Sequence, residues 1–345
     1  MDTLQSTYRS VTIAAIHTVA PGVKLFTIFA EGGLSFVLGQ FITLVFPRAG
    51  REYRRSYSIC SGPGEPVAFA VKRIENGMFS RALVDSAKLG DVLYTTGAAG
   101  LFVLPADISA YRQVFFFAAG IGITPMLSLI KSVLRQPNGP AVGLIFSNSS
   151  PRDVAFYTEL QMLAGEHPQR FRIEYLYSNA YNAARARLSK ALVPLLLSEY
   201  AAAPLSEALF YICGPLAYMR MTIFALQENG VRDDQIKKEN FVIEHRPQIY
   251  APPDSDTHNV TVLQKGLSHT FAVVYPDSIL TAAEKSGLTL PYSCRAGYCG
   301  SCAALCRSGK VWMAYNDALT DTETLHGALL TCVAHPLHGN VVVEV

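Results

Sequence analysis

Four cysteines in the last sixth of the sequence have a spacing that could bind iron. Cys294, Cys299 and Cys302 follow the pattern C-x4-C-x2-C, and Cys332 follows after 29 intervening residues. Two glycines between the first three cysteines would let the backbone fold so that thiolates and amide N–H groups converge. This is the spacing at which thiolates hold a [2Fe–2S] cluster, so we expect these four cysteines to be its ligands.

The metal could instead be zinc, and a fifth cysteine could replace one of the four ligands. Zinc held by four cysteines usually has two C-x2-C pairs, whereas here the fourth cysteine stands alone. A fifth cysteine, Cys306, follows closely. If a strand continues past Cys302, the two side chains lie on the same face of it. We expect Cys306 to be a packed thiol rather than a ligand.

A second group of residues could bind a phosphorylated, flat ring system. The segment Arg55–Ile59 reads Arg-Ser-Tyr-Ser-Ile. Strand alternation places Arg55 and Tyr57 on one face, and Ser56 and Ser58 on the other. A cation, an aromatic ring and a hydroxyl could serve a phosphate, ring stacking and a hydrogen bond to a ring nitrogen. Taken alone, the segment is more typical of an exposed strand face.

The sequence that follows this strand strengthens the interpretation. Val71–Arg73 comes next, and Gly77–Ser80 (Gly-Met-Phe-Ser) opens a helix that we predict over residues 78–87. A helix N-terminus that carries glycine and serine suits a pyrophosphate, because its free amide N–H groups point at the anion.

Two glycine-containing turns each follow a predicted strand and open a predicted helix. The first is Gly120–Pro125 (GIGITP), with Pro125 near the first helical position, and the second is Cys213–Pro215 (CGP). The first turn lacks the third glycine of the Rossmann pattern G-x-G-x-x-G. In one parallel sheet both turns would lie at the carboxyl edge, where nucleotides bind.

The elements that must position these residues predict three domains. Six short β-prone runs, one of them over 23–29, and one helix predict a small antiparallel barrel or sandwich in residues 1–108. Four strand–helix units predict a parallel sheet covered on both faces in residues 109–245. Among these units we expect strands over 171–177 and 208–213, and helices over 154–164, about 188–197 and 216–228. Residues 246–257 contain three prolines and predict a semi-extended linker. Residues 258–345 predict a hairpin, a helix, the cysteine loop and closing strands over 330–333 and 341–345.

Composition limits the class of protein. With 345 residues, 50% hydrophobic and 16% charged, the chain is long enough for two or three domains and is not intrinsically disordered. A formal net charge of +2 gives no reason to expect nucleic acid as a partner. Seven cysteines do not suggest a disulfide scaffold, so we expect a reducing, cytoplasmic location. The uncharged run over 113–130 is interrupted by glycines and a proline, and the N-terminus lacks a secretory signal, so we expect no membrane partner.

The motifs, in this order, closely resemble the ferredoxin–NADP reductase superfamily over residues 1–245. Residues 258–345 resemble a plant-type ferredoxin. Reductase first and ferredoxin last in one chain resembles the reductase subunits of oxygenases, especially those similar to the phenylacetyl-CoA epoxidase reductase. The resemblance implies a multidomain fold: an antiparallel Greek-key β-barrel that holds FAD, an α/β parallel-sheet domain that holds NADPH or NADH, and an α+β β-grasp domain that holds the [2Fe–2S] cluster.

The resemblance also implies which residues bind the cofactors. Flavin contacts are implied at Arg55, Ser56, Tyr57, Ser58, Val71, Lys72, Arg73, Gly77, Phe79 and Ser80. Nicotinamide-nucleotide contacts are implied at Gly120, Gly122, Thr124, Pro125, Cys213, Gly214 and Pro215. Ser58 is implied to form a hydrogen bond near the flavin N5 atom. Cys213 and Glu239, which ends the last strand of the α/β domain, are implied to shape the nicotinamide pocket.

The flavin could be FAD or FMN, and the electron donor could be NADPH or NADH. The related phthalate dioxygenase reductase has the same domain order but uses FMN, whereas the Gly77–Ser80 element fits the FAD pattern better. Hydroxyl and guanidinium groups that follow two strands of the α/β domain, at Ser149, Arg152 and Arg187, could bind the 2′-phosphate of NADPH. They could equally be solvated surface groups. We expect FAD, and NADPH rather than NADH.

The implied activity is electron transfer from NAD(P)H, through FAD and a [2Fe–2S] cluster, to a terminal mono- or dioxygenase. The alternative is a stand-alone oxidoreductase that delivers electrons to a soluble carrier, a quinone or oxygen, because the final acceptor leaves no motif in the sequence. A binding module with a purely structural flavin domain is disfavoured by the two intact glycine turns.

Overall fold

A computed structural model describes residues 8–48, 51–241 and 251–345. The chain divides into two compact units, Met1–Asn240 and Phe241–Val345, each with its own sheets and core. Within the described part of the chain, no helix combines the length and the apolar character needed to cross a membrane.

The first unit begins with a six-stranded antiparallel sheet. Its strands are β1 (Arg9–Ala20), β2 (Val23–Phe29), β3 (Phe41–Arg48), β4 (Arg51–Ser58), β5 (Ala68–Lys72) and β6 (Val92–Ala99). They pair in the order β4-β3-β6-β1-β2-β5. A bridge between Ile59 and Phe69 joins the two edges, so the sheet curls into a barrel around an apolar core. All six predicted strands form.

The helix predicted over 78–87 forms in two parts. It comprises α1 (Met78–Arg81) and a π-helical turn, Ala82–Ser86. Leu83 and Val84 of this turn are buried in the core of the barrel. The element therefore covers the barrel and presents the start of α1 at its surface.

The rest of the first unit is a five-stranded parallel sheet with helices on both faces. Its strands are β7 (Gln113–Ala119), β8 (Ala141–Asn148), β9 (Phe171–Tyr177), β10 (Ala208–Cys213) and β11 (Ile236–Glu239), in the order β11-β10-β7-β8-β9. Its helices are α2 (Thr124–Arg135), α3 (Tyr157–Glu166), α4 (Leu192–Tyr200) and α5 (Leu216–Glu228). One apolar core lies between the sheet and α2 and α3, and a second lies between the sheet and α4 and α5.

Two of these helices start later than the sequence predicts. We expected α3 from residue 154, but Phe156 has a left-handed backbone with φ of 60°, which delays the helix to Tyr157. We expected α4 from about residue 188, and it starts at Leu192.

The second unit contains a mixed five-stranded sheet and a separate strand pair. Its strands are β12 (His258–Gln264), β13 (Leu267–Val273), β14 (Ala303–Ser308), β15 (Val311–Met313), β16 (Ala328–Leu330), β17 (Ala334–Pro336) and β18 (Val341–Glu344). The sheet order is β13-β12-β18-β14-β16, and β15 pairs with β17. Helix α6 (Ile279–Lys285) packs on the apolar core of this sheet, and a short helix, α7 (Asp321–Leu325), precedes β16.

The single strand predicted over 330–333 is wrong. The chain instead forms β16 and β17, with Cys332 in the turn between them. Thr331 explains the break, because its N–H and hydroxyl both donate to the Cys302 carbonyl oxygen, at 3.1 and 3.2 Å. The Thr331 carbonyl accepts from the Leu280 N–H at 2.9 Å, so this backbone is tied to the cysteine loop and α6 rather than to a strand ladder.

Part of the predicted linker belongs to the second unit. Residues 246–250 lie outside the described residues. Further along, the Asp254 carboxylate accepts hydrogen bonds from the N–H groups of Asp256 at 2.8 Å and His338 at 2.6 Å. The end of this segment is therefore attached to the turn that precedes β18.

Candidate functional site

Three residues that lie far apart in the sequence meet at one place in the first unit. Ser58 ends β4, Cys213 ends β10 and Glu239 ends β11. The Ser58 hydroxyl donates a hydrogen bond to Glu239 Oε2 at 3.0 Å. Cys213 is paired with Glu239 in the register of the two parallel strands and is fully buried. The structure thus brings together the residue that we predicted near the flavin N5 atom and the two that we predicted to shape the nicotinamide pocket.

The electrostatics of this cluster favour neutral groups. Burial raises the pKa of Glu239 from 4.5 to about 8, although the hydrogen bond from Ser58 lowers it. Burial also raises the pKa of the Cys213 thiol well above its ordinary value, and the neighbouring Glu239 raises it further. The carboxyl can therefore hold a proton near neutral pH, and Cys213 remains a thiol rather than a thiolate nucleophile.

The two glycine turns contact each other at the carboxyl edge of the parallel sheet. A Cβ atom added to Gly122 would lie 2.2 Å from the carbonyl oxygen of Cys213. A Cβ added to Gly214 would lie 2.9 Å from the Ala119 Cβ. Gly120 has a φ of 54°, in the left-handed region that favours glycine. The sequence has glycine here because no side chain fits between the two turns.

Helices α2 and α5 begin directly at these turns. Thr124 Oγ1 donates to the Ile121 carbonyl oxygen at 2.9 Å, and Pro125 lies in the first turn of α2. Pro215 is the N-cap residue of α5. Both N-termini, with their free N–H groups and positive dipole ends, therefore lie at the carboxyl edge of the sheet, where an anionic ligand is stabilised.

Polar groups at the neighbouring strand end fit a polar ligand. Asn148 Nδ2 is buried and has no hydrogen-bond partner among the residues that the structure describes. Nearby, Ser149 and Arg152 are exposed, as is Arg187 beyond β9. Arg185, by contrast, forms ion pairs with Glu174 and Glu199. The three side chains that we predicted for a 2′-phosphate are thus accessible, but Arg187 follows β9 whereas the other two follow β8.

The two predicted flavin-binding side chains on one face of β4 differ in exposure. The Tyr57 ring stacks on Phe69 with centroids 5.6 Å apart, and burial raises the pKa of Tyr57 to about 12, so it remains a neutral phenol. Arg55 is exposed, and its guanidinium lies 5.3 Å from the Phe79 ring centroid. Ser56 lies on the opposite face, where its hydroxyl is 2.9 Å from Thr43 Oγ1.

The segment before α1 is held by its own hydrogen bonds. Ser80 Oγ donates to the Gly77 carbonyl oxygen at 3.0 Å and accepts from the Ile74 N–H at 3.2 Å. A Cβ on Gly77 would lie 2.3 Å from Ser80 Oγ, so glycine is required there. Because α1 has only four residues, a pyrophosphate here would depend on individual backbone N–H groups rather than on a long helix dipole.

The three residues of the preceding strand end have different surroundings. Val71 is fully buried and offers only its backbone. Lys72 is exposed, and a Cβ added to Gly120 would lie 3.9 Å from Lys72 Nζ, so this lysine extends toward the first glycine turn. Arg73 Nε donates to Asp85 Oδ1 at 2.9 Å, so a neighbouring carboxylate holds the guanidinium that we predicted to contact the flavin.

In the second unit the four predicted iron ligands form two pairs. The Cys302 thiol lies 3.2 Å from Cys332 Sγ. A hydrogen bond between Cys299 and Cys294, together with backbone N–H groups of the loop, lowers the pKa of Cys294. No group of three or more His, Cys, Asp or Glu side chains in the described ranges suits a single metal ion. Two thiol pairs fit a cluster of two irons better than one tetrahedral zinc ion.

The loop that carries three of these thiols is attached to its surroundings on both sides. A Cβ on Gly297, which has a φ of 79°, would lie 2.8 Å from the Tyr315 carbonyl oxygen. Arg295 pairs with Glu284 of α6 and lies 3.9 Å from the Tyr292 ring centroid. The Ala296 N–H donates to Cys294 Sγ at 3.4 Å, so a backbone amide points at a predicted ligand sulfur.

Cys306 lies apart from these pairs. It is part of β14, and its thiol is 3.5 Å from the Ser308 carbonyl oxygen. It packs partly against the apolar core of the second unit. Its surroundings are those of a packed thiol.

Sequence reasoning missed two residues that support the site in the first unit. The hydroxyl of Tyr218, on α5, donates to the Ala118 carbonyl oxygen at 3.2 Å, and a Cβ on Gly214 would lie 3.1 Å from its ring. Lys131, on α2, forms ion pairs with two carboxylates. Neither has a sequence signal, because an aromatic residue or a lysine within a helical pattern is typical of ordinary packing or surface positions.

The barrel, the parallel sheet with its paired glycine turns, and the separate unit with two thiol pairs define a flavin- and iron–sulfur-containing NAD(P)H oxidoreductase. Three domain families match the chain in this order. They are an oxidoreductase FAD-binding domain over residues 10–104, an oxidoreductase NAD-binding domain over 116–223, and a 2Fe-2S iron-sulfur cluster binding domain over 262–337.

Similar proteins have the same organisation over nearly their whole length. The chain is 32% identical to a component of 1,2-phenylacetyl-CoA epoxidase from Escherichia coli, over 98% of each chain. It is also 32% identical to the ferredoxin reductase component of 3-ketosteroid-9-alpha-monooxygenase from Mycobacterium tuberculosis, over 89% of this chain and 85% of the relative. The chain belongs to this family of ferredoxin reductases that contain FAD and [2Fe–2S].

The solved structure of phthalate dioxygenase reductase shares the fold. The TM-score is 0.60, with 23% identity, and the match covers 99% of each chain. The predicted fold class, the class of enzyme and the cofactors FAD, [2Fe–2S] and NAD(P)H are thereby confirmed. The individual site residues remain predictions.

Proposed function

We propose that this chain takes electrons from NAD(P)H and passes them, through FAD and a [2Fe–2S] cluster, to a terminal mono- or dioxygenase component. The observation that carries the proposal is that one chain holds both the Ser58–Cys213–Glu239 cluster beside the glycine turns and a second unit with four paired thiols. The similar proteins from E. coli and M. tuberculosis are named as parts of an epoxidase and a monooxygenase.

In the hydride-accepting site, each residue of the first unit has a separate role. When bound, FAD supplies the chemistry that converts two-electron into one-electron transfer. Ser58 provides a hydroxyl for the N5 region of the flavin and holds Glu239 by a hydrogen bond. Glu239 holds a proton at its buried carboxyl, and Cys213 contributes a neutral, compact thiol to the nicotinamide pocket. The glycines of the two turns let the turns pack directly against each other, so that both helix N-termini face the same edge of the sheet, where the dinucleotide would bind.

The remaining assignments extend this proposal. Arg55 and Tyr57, which lie on one face of β4, hold the flavin. Ser149, Arg152 and Arg187 favour NADPH over NADH because their groups can bind a 2′-phosphate. Cys294, Cys299, Cys302 and Cys332 hold the cluster, which the pairing of their thiols supports.

The proposed domain division is 1–108 for the flavin barrel, 109–245 for the nucleotide domain, 246–257 for the linker and 258–345 for the ferredoxin domain. We place the protein in the cytoplasm. All seven cysteines lie in the described residues and none forms a disulfide, which is consistent with a reducing compartment.

The experiment that tests the proposal is to identify the electron acceptor. The tagged full-length chain is purified from its own cells, and co-purifying proteins are identified by mass spectrometry. We expect an oxygenase component whose metal centre is reduced by the wild-type chain and NADPH, but not by a Cys332→Ser variant that retains flavin. Equal NADPH oxidation with a quinone or oxygen, and no reduction of an oxygenase component, would instead identify a stand-alone oxidoreductase.

A further inference from the structure

Helix α2 connects the nicotinamide side of the first unit to the barrel. It begins at Thr124, directly after the first glycine turn, and three of its later residues lie on the face that meets two barrel loops. Ser128 Oγ accepts a buried hydrogen bond from the Gly39 N–H at 3.1 Å. One turn beyond Lys131, the Arg135 guanidinium donates to the Pro63 carbonyl oxygen.

Lys131 lies at the centre of this contact. Only 11% of its side chain is exposed. Its Nζ lies 2.8 Å from Glu65 Oε2 and 2.5 Å from Glu159 Oε1. Glu65 belongs to the barrel loop between β4 and β5, whereas Glu159 belongs to α3 of the parallel-sheet part. One ammonium group therefore joins carboxylates from both halves of the unit.

The barrel loop over residues 61–66 is shaped around this lysine. A Cβ added to Gly62 would lie 2.8 Å from Lys131 Cδ, so the loop backbone packs directly on the lysine side chain. The Gly62 N–H donates to Glu65 Oε2, the same oxygen that accepts from Lys131. Ser61 Oγ closes the loop by donating to the Pro66 carbonyl oxygen at 2.7 Å. The loop, its glutamate and the lysine thus form one connected structure.

The charge of Lys131 is kept despite its burial. Burial lowers the pKa of this ammonium, but hydrogen bonds to Glu159 and Glu65 outweigh that effect and the pKa is raised. The apolar core beneath it contains barrel residues, such as Val23 and Cys60, together with Ile130 of α2. An ion pair of this kind contributes little net stability, because desolvation offsets most of the attraction, but it fixes geometry and is costly to break.

We propose that Lys131 is a positioning residue for hydride transfer, which sets the separation between the flavin strand and the nicotinamide turn. The inference rests on the proposed function. The connections are short: Gly62 follows Ser58 by four positions, and Lys131 follows Thr124 by seven, within one helix. A shift at this contact is therefore passed to both sides of the site, and hydride transfer is sensitive to sub-ångström changes in the distance between reacting atoms.

The test uses the full-length, flavin-loaded protein and a Lys131→Met variant. We expect the limiting rate of flavin reduction by NADPH, in anaerobic stopped flow, to fall about tenfold, below the ~10²-fold cost of a full 1 Å displacement. The NADPH dissociation constant should change by less than about twofold, because the ligand contacts remain. Amide hydrogen exchange over residues 61–66 should rise. Lys131→Arg, which keeps the charge, should restore both properties.

Matched controls separate positioning from general stability. Lys190→Met removes an exposed ion pair with Glu228 that lies within the parallel-sheet part, and it should leave both readouts unchanged. Glu65→Gln, which removes the barrel carboxylate, should reproduce most of the Lys131→Met effect. Glu159→Gln should have a smaller effect, because both partners of that pair lie in the parallel-sheet part.

Several outcomes would overturn the inference. An unchanged limiting rate and unchanged exchange in Lys131→Met would do so. A slower rate in Glu159→Gln with a wild-type rate in Glu65→Gln would do so too, because Lys131 would then act only on the contact between α2 and α3. If Lys131→Met does not fold, Glu65→Gln decides the question by the same two readouts. A wild-type protein whose flavin is not reduced by NADPH would contradict the proposed function, which is a separate result.

Discussion

The two redox sites of this chain are built in opposite ways. Three of the four predicted iron ligands come from one loop over residues 294–302, and the fourth, Cys332, lies in a turn tied to that loop through Thr331. The site in the first unit joins Ser58 and Glu239, which are 181 positions apart and lie on strands of different sheets. Local spacing specifies the first site, whereas the packing of two whole domains specifies the second.

This difference predicts how each site fails. A metal cluster depends on each covalent ligand, so the loss of one thiol should remove it. The site in the first unit depends on the contact between two domains. A variant there should reduce the rate of flavin reduction in proportion to how far it displaces that contact. The following variants test that contrast, from the largest expected effect to the smallest.

Cys332→Ser should lose the cluster. A serine hydroxyl is a poor replacement for a thiolate ligand of iron, so iron and sulfide content and the visible absorption of the cluster should drop, while flavin content stays near wild type. Cys306→Ser is the matched control and should retain iron, since its thiol packs near the Ser308 carbonyl oxygen. The reverse pattern, with iron lost only from Cys306→Ser, would refute the ligand assignment.

Gly122→Ala should impair the nicotinamide side without releasing flavin. The added methyl group would lie 2.2 Å from the Cys213 carbonyl oxygen, so the two turns must separate. We expect flavin reduction by NADPH to slow by about tenfold or more. Gly165→Ala, on α3, adds a methyl group with nothing within 4 Å and should leave the rate unchanged. Equal rates in the two variants would contradict the proposed contact of the turns.

Arg55→Ala combined with Tyr57→Ala should lower flavin occupancy in the purified protein. Both side chains lie on the same face of β4, and their loss removes a cation and an aromatic ring. Arg9→Ala is the control, because it removes an exposed arginine of β1 whose guanidinium donates to the Glu31 carbonyl oxygen, and it should retain flavin. Full occupancy in the double variant, measured by the ratio of flavin to protein absorbance, would remove these residues from the flavin site.

Glu239→Gln should change how stability depends on pH. The folded pKa of Glu239, about 8, is above its ordinary value of 4.5, so the folded state binds the proton more tightly between these values. Wild-type stability from this group is therefore present below pH 4.5 and is lost as pH rises to about 8, by at most about 1.4 kcal/mol per pH unit. Urea unfolding at several pH values should show this slope in the wild type and not in the variant.

Ser58, which donates a hydrogen bond to the Glu239 carboxyl, allows a second test of the Glu239 pKa. Ser58→Ala removes the hydrogen bond that lowers the Glu239 pKa, so the upper end of the pH window should move higher. The free energy of unfolding of the wild type, Glu239→Gln and Ser58→Ala is then compared as a function of pH. If it has the same pH dependence in all three proteins, Glu239 does not hold a proton in the folded protein.

The sequence predicts best those elements whose ends have strong local signals. The strands over 23–29, 171–177 and 208–213 and the helix over 216–228 have the predicted bounds. Hydrophobic runs bounded by glycine, proline or polar residues specify them locally. The strand predicted over 330–333 is wrong because Thr331 forms its hydrogen bonds with Cys302 and Leu280, which no local pattern reveals.

The same limit applies to the sites. Cys294, Cys299 and Cys302 could be selected by their spacing within one loop, and the spacing typical of the family adds Cys332. The hydrogen bond between Ser58 and Glu239 follows only from the fold, and the resemblance to a family was needed to place both residues near one site. Lys131 could not be found at all, because its two partners come from other elements and a lysine in an amphipathic helix indicates a solvated face.

The central claim is that a hydride-accepting flavin site and a one-electron cluster operate in one chain. The most direct test is anaerobic titration of the full-length protein with NADPH, followed by absorption and by electron paramagnetic resonance. We expect the flavin absorption to bleach and the signal of a reduced [2Fe–2S] cluster to appear in the wild type and in Cys306→Ser. In Cys332→Ser the flavin should bleach without that signal. A wild-type cluster that stays oxidised while the flavin is reduced, and accepts an electron only from an added chemical reductant, would contradict the account.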